Sequence, residues 1–335
     1  LMKPTIEFSD IEDAYHRISG IVQNTPIVQS KLLNKWLGHN IYFKAECLQT
    51  TGAFKLRGAS NFIAKLAQEN KLPTQIIANS SGNHAQAVAY AAKHFSIPVT
   101  IYATKNISAV KAAATKYYGA QLKLFDTRVE ADNAVAKASH KPGVIWIPPF
   151  NHPDIIAGQG TAALEALQQT NNIDAIFAPC GGGGLASGTL IASKHLSPLS
   201  KVIGVEPLMA NDAARSLREG EIISLSEAPL TLADGAATPS VGEHTFPFLQ
   251  KLDGFYEVNE TQIAYWTQWL QHLLKLHIEP TCAMVMQGVV DYLTELPKVQ
   301  TTAQQILVII SGGNISTKSM VNIWRDDHLQ TPPKL

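Results

Sequence analysis

The chain has 335 residues, with 27 Lys and Arg against 27 Asp and Glu, so its formal net charge is zero. Charged residues make up 16% and apolar ones 45%, enough for a large core and without the basic excess that nucleic-acid binding needs. No apolar run approaches the ~18 residues of a membrane span, and three scattered cysteines, Cys47, Cys180 and Cys282, fit a reducing, cytoplasmic compartment better than a disulfide framework or a zinc cluster.

Length predicts about two domains. With Leu1 set aside, the start turns acidic at Glu7, too early for a secretory leader. Ser9 and Glu12 have capping-box spacing, which predicts a helix to about Ser19. Ile41 to Ala45 reads as a strand and Phe54 to Leu66 as a helix. Strands at 75–79, 98–103, 121–125 and 144–147 then alternate with helices at 83–94, 107–118 and 127–140, punctuated by Pro98, Gly119 and Pro142-Gly143. A second series places strands at 174–180, 201–206 and 305–310, with helices at 185–196 and 209–219. Residues 220–242 have little periodicity, and so long a loop inside a compact protein tends to be functional. Tyr265, Trp266 and Trp269 read as the packed face of a late helix. Such alternation specifies βαβ crossovers, hence an α/β fold of mostly parallel sheets covered by helices. The Pro148-Pro149 bend is the best place for a crossing between domains.

One event recurs: an apolar strand, a Gly/Ser turn, then a helix start. It occurs at Ser80-Ser81-Gly82-Asn83-His84, at Gly181-Gly182-Gly183-Gly184 and at Ser311-Gly312-Gly313-Asn314. In open α/β sheets ligands bind beyond the carboxyl ends of strands, so these turns are candidates for one cleft. The tetraglycine lets backbone amides approach an anion at a helix N-terminus; a tight packing turn is the competing reading. The run has neither dinucleotide nor Walker spacing, so phosphate is indicated and a nucleotide is not. Lys55 opens a helix together with Arg57, against the preference of helix starts for acids. Desolvated, such a lysine becomes a usable nucleophile or base; a solvated surface lysine is the alternative. A phosphate loop and an odd lysine together point to a phosphorylated aldehyde cofactor.

The segment Thr51 to Ala59, the three turns, Ala157-Gly158-Gln159-Gly160-Thr161 and Glu279-Pro280-Thr281 follow one another in an order that closely resembles the fold-type II pyridoxal-phosphate enzymes, in the serine/threonine dehydratase and serine racemase branch. That resemblance covers nearly the whole chain. It implies a two-domain, tryptophan synthase β-like architecture, with residues 1–66 and 150–335 as the large cofactor-binding domain and 67–149 as a smaller mobile one. It implies pyridoxal 5'-phosphate carried by Lys55, with Phe54 against its ring, Gly181, Gly182, Gly183 and Gly184 at its phosphate, Asn83 at its phenolic oxygen and Ser311 at its pyridine nitrogen. Ser80, Ser81, Gly82, Asn83 and His84 would receive the carboxylate of a small amino-acid substrate, and Ser81 would be an acid/base on the face opposite Lys55. A helix cap or carboxylate ligand is the other reading of Ser81. A homodimer is the family's expectation, with neither nucleic acid nor membrane as partner.

Glu206 and Asp212 suit a hard divalent cation, Mg²⁺ or Ca²⁺ with Mn²⁺ also admissible. Two ordinary acids are the alternative. The spacing resembles the family's structural cation site, where Ala210 would lend its backbone oxygen. The expected reaction is elimination of water from L-threonine or L-serine to an enamine, which hydrolyses to a 2-oxo acid and ammonia. The runners-up are a serine racemase, possibly bifunctional, and a dehydratase of 3-hydroxyaspartate or another hydroxy amino acid. The stretch from Arg128 to Ala134 fits the racemase arginine poorly, and Ile147-Pro148-Pro149-Phe150-Asn151-His152-Pro153 is nearer the dehydratase pattern. With about twenty residues after Asn314, the expectation is that no regulatory domain follows.

Overall fold

The computed structural model describes residues 5–80, 82–227, 229–299 and 302–335. Among these, ten strands form two sheets. The larger has six: β1 (Ile27–Val28), β2 (Asn40–Ala45), β7 (Ala175–Pro179), β8 (Lys201–Pro207), β9 (Gly254–Val258) and β10 (Gln305–Ile310), in the order β1-β2-β10-β7-β8-β9. The smaller has β3 (Gln75–Ala78), β4 (Val99–Thr104), β5 (Gln121–Phe125) and β6 (Val144–Trp146), in the order β5-β4-β3-β6. All pairings are parallel except β1 with β2. The α/β reading with two mostly parallel, helix-covered sheets therefore holds.

The central strands explain themselves. Ile306 to Ile310 is an unbroken apolar run, wholly buried, as a strand with helices on both faces must be. It lies between β2 and β7, with Val308 level with Phe43 on one side and Phe177 on the other. The helix Glu260–Leu274 packs Trp266 and Trp269 into that core, as their spacing predicts. Every glycine turn singled out above follows the carboxyl end of a parallel strand: β3, β7 and β10. That common end is where the site forms.

The Lys55–Gln68 helix joins the two sheets. Leu56, Ala59 and Ile63 pack into the smaller core with Ile76 and Val88. Gly58 faces the Pro153–Gln169 helix so closely that a Cβ on Gly158 would fall 2.6 Å from Arg57 O. A Cβ on Gly188 would meet Gly160 N at 2.5 Å. The Gly158-Gln159-Gly160 motif is thus a close-packing device, and Gln159 Oε1 accepts from Gly58 N at 3.0 Å.

Several expectations need correction. The first helix, Phe8–Ile18, is capped by Glu7 with Asp10 returning the bond, not by Ser9 and Glu12. Helix 209–219 divides into a 3-10 turn, Leu208–Ala210, and an α-helix, Asp212–Glu219. A helix at Lys31–Leu37, capped by Ser30, and strand β9 also lie outside the predicted series.

Candidate active site

Lys55 owes its place to a backbone clasp. Phe54 N donates to Ser311 O at 2.9 Å, Gly313 N donates to Gly52 O at 2.9 Å, and Ala53 bridges Gly312. Gly52 stands at φ +79, and a Cβ there would overlap the Asn314 side chain. The clasp sets Ser311, itself buried, beside the start of the Lys55 helix. Lys55 Nζ donates to Pro149 O at 2.7 Å and lies 5.4 Å from the centre of the Phe54 ring. Burial lowers its pKa to about 8, against an opposing pull from Glu279.

The tetraglycine follows β7, and Gly184 opens the Gly184–Leu196 helix. Gly183 stands at φ +95. A Cβ on Gly182 would overlap the Phe150 ring, so no side chain fits there. Among the described residues, no acceptor meets the amides of Gly181 to Gly184. A row of free N–H groups at a helix N-terminus suits an anion such as a phosphate.

Asn83 opens the Asn83–His94 helix, with its Nδ2 3.2 and 3.3 Å from the two Glu279 oxygens. Asn314 Nδ2 donates to Asn83 Oδ1 at 2.8 Å and to Thr51 O at 2.9 Å. Burial, with Asp234 adding to it, raises the Glu279 carboxyl to about 7 against the Asn83 bond. His84 lies in the first turn of the helix. Its Nε2 sits 2.9 Å from Ile147 O, and burial together with the nearby Lys55 charge lowers its pKa to about 3. The imidazole is therefore neutral.

These groups surround one cavity of about 530 Å³, lined by Phe54, Lys55, Ser80, Gly82, Asn83, His84, the tetraglycine and Ser311. Ser81 lies outside the described residues. The same cavity is lined by Lys111, Arg128, Asp132, Asp234 and Glu279. Lys111 pairs with Asp234 at 2.9 Å, linking the helix Ala109–Tyr117 to the loop after residue 220. Arg128 pairs with Asp132 at 2.9 Å and donates to Asn79 O at 3.3 Å. Glu279 belongs to a motif quoted for the family resemblance, and Arg128 opens the stretch that fits the racemase arginine poorly, yet both face the cavity; Lys111 and Asp132, on helix faces, carry no local signal, and the unperiodic loop at 220–242 is the one hint for Asp234.

Glu206 and Asp212 lie outside this cavity and are fully buried, as is Ala210. Glu206 accepts from Ala214 N at 2.6 Å and Ala213 N at 3.3 Å. Both Asp212 carboxylate oxygens lack any partner among the described residues. Burial raises Glu206 to about 9 and Asp212 to about 7. No cluster of three or more His, Cys, Asp or Glu side chains gathers among the described residues. A cation here would therefore complete its shell with backbone oxygen and water.

A family profile described as "Pyridoxal-phosphate dependent enzyme" matches residues 18–312. The chain belongs to that family, in its fold-type II form. It is 40% identical over 315 residues to the L-threo-3-hydroxyaspartate ammonia-lyase of Saccharomyces cerevisiae, covering 93% of this chain and 94% of the relative. It is 36% identical over 317 residues to the serine racemase of Schizosaccharomyces pombe, covering 94% and 95%. Among solved structures, a T.th. threonine deaminase superposes with a TM-score of 0.85 at 38% identity, over 92% of this chain and 99% of that one. A maize serine racemase superposes at 0.88 and 34% identity, over 98% and 99%. No helix among the described residues is long and apolar enough to cross a membrane.

Proposed function

We propose that the chain is a lyase that eliminates the β-hydroxyl of a small hydroxy amino acid, L-serine or L-threonine, as water; the resulting enamine takes a water back on hydrolysis, leaving a 2-oxo acid and ammonia. The observation that carries this reading is the convergence, on one cavity, of a desolvated lysine and four glycine amides that meet no acceptor among the described residues. The residues fit pyridoxal phosphate: the amides suit its phosphate, Lys55 its aldehyde, Asn83 its phenolic oxygen and Ser311 its ring nitrogen. When bound, the cofactor supplies a conjugated electron sink for charge developing at the substrate α-carbon. The free Lys55 amine would be the base at that carbon, and a pKa near 8 leaves a useful neutral fraction near physiological pH. The Ser311 hydroxyl cannot hold a proton on the ring nitrogen as a carboxylate would. A neutral hydroxyl there would favour elimination of the β-hydroxyl over transamination. Ser80, Gly82 and Asn83 offer amides and polar groups to the substrate carboxylate.

A second substrate, L-threo-3-hydroxyaspartate, is favoured by Lys111 and Arg128, which line the cavity from the smaller sheet's side. Their present partners, Asp234 and Asp132, are carboxylates that a second substrate carboxylate would compete with. The yeast relative's name points the same way. Serine racemisation as an accompanying activity rests on Ser81 and on the fission-yeast relative. We also infer a divalent cation held by Glu206, Asp212 and the Ala210 carbonyl. The two partnerless Asp212 oxygens support it, since a buried carboxylate without a donor is costly.

One reaction panel tests the reading. L-serine, L-threonine and L-threo-3-hydroxyaspartate are each incubated with the holoenzyme and scored for 2-oxo acid and for inverted isomer. Accumulation of 2-oxo acid from at least one substrate, faster than isomer, is the expected result. Isomer without 2-oxo acid from every substrate contradicts it.

A further inference from the structure

Behind the tetraglycine lies a buried hydroxyl with no role so far. Thr245 is fully buried. Its Oγ1 donates to Gly182 O at 2.6 Å and accepts from Gly242 N at 3.0 Å. The hydroxyl has one proton, and the 2.6 Å contact claims it over the 3.2 Å approach to Gly242 O. Thr245 is itself tied down: its own carbonyl accepts from Ser187 Oγ at 3.3 Å, inside the helix that the tetraglycine opens. One residue earlier, His244 N donates to Asn151 Oδ1 at 2.8 Å.

A planar trans peptide points its C=O and the next N–H in opposite directions. Anchoring Gly182 O on Thr245 therefore turns the Gly183 N–H away from Thr245. No acceptor among the described residues meets that amide, and Gly183 lines the cavity. Four consecutive glycines would otherwise sample many backbone states, and each binding event would have to order them.

We propose that Thr245 is a positioning residue for the anion site: its hydroxyl holds the tetraglycine in the one peptide orientation that presents free amides to a phosphate. The proposal rests on the tetraglycine holding the cofactor phosphate. Thr245 touches neither cofactor nor substrate: its hydroxyl donates to Gly182 O, to which Gly242 N also donates at a longer 3.4 Å, and it holds Gly242 N as well.

The test compares two ligands that differ only in phosphate. Apoprotein of the wild type, Thr245→Val and Thr245→Ser is titrated with pyridoxal phosphate and with pyridoxal, following the visible absorption of the bound aldehyde. Thr245→Val, nearly isosteric but without the hydroxyl, should weaken pyridoxal phosphate binding about tenfold and leave pyridoxal unchanged. Thr245→Ser should match the wild type for both ligands. Thermal melts of each apoprotein accompany the titrations, and Thr245→Ala replaces the valine variant if that one does not fold. Wild-type affinity for pyridoxal phosphate in the hydroxyl-free variant overturns the proposal, as does an equal loss of both ligands. A wild type that binds pyridoxal as tightly as its phosphate ester overturns the underlying reading of the tetraglycine instead.

Discussion

Two groups of buried charge flank the cavity, and they differ in how they are closed. Behind the Lys55 helix, Arg57 is bonded to Glu46 and to Glu165, the latter at 2.6 and 2.8 Å. Lys44 reaches Glu165 at 2.8 Å, and Thr25 donates to Glu46. Two cations face two carboxylates, and hydroxyls, amides and carbonyls take up the remaining hydrogen bonds. Burial pushes the Glu46 carboxyl upward, but the charge and bonds of Arg57 more than reverse this, and it stays ionised. At Glu206 and Asp212, by contrast, no ion pair reaches either carboxylate among the described residues, and burial prevails. The same cost of desolvation is offset by counter-charges within the protein in one place and, in the other, only in part, by the two backbone bonds to Glu206. A matched network fixes the helix that carries Lys55; an unmatched pair of acids suits a cation from solution.

The contrast predicts effects of different kind. Arg57→Ala leaves Glu46 and Glu165 buried without their principal counter-charge. Its expected loss is about 3–5 kcal/mol of folding stability, read from urea unfolding of the apoprotein. A loss under about 1 kcal/mol would mean that water or rearrangement substitutes for the guanidinium, and would break the comparison. A smaller and conditional effect is expected at the other site. Adding Mg²⁺ to chelator-treated protein should raise stability, by about 2.7 kcal/mol when the ion is at about a hundred times its dissociation constant. Asp212→Asn should abolish that gain. Melting that ignores both chelator and Mg²⁺ would show the pair to be two ordinary buried acids.

The same contrast shows what a sequence can and cannot reveal. The tetraglycine and Lys55 are legible because their signals are local: a strand, a glycine run and a helix start within a few residues. Most strand and helix limits are legible within a residue or two for the same reason, since apolar alternation writes them directly. Arg57 reads in sequence as a cation straining against a helix dipole, because the carboxylates that neutralise it lie 11 residues before and 108 residues after it. Asn83 and Asn314, bonded across 231 residues, and Pro149, whose carbonyl holds the Lys55 amine from 94 residues away, belong to the same class. Thr245 lies just past the aperiodic 220–242 stretch, and only the geometry around Gly182 gives it meaning. Ser9 and Glu12 match a capping box that Glu7 and Asp10 form instead, an ambiguity inherent in acidic helix starts.

The central claim is that Lys55 is the residue that carries the cofactor. Holoenzyme reduced with borohydride, digested and read by mass spectrometry tests it most directly. A single phosphopyridoxyl-modified peptide containing Lys55 is expected, with loss of both that peptide and the protein's visible absorption in Lys55→Ala. Modification at another lysine, or a wild type that takes up no pyridoxal phosphate, would contradict it.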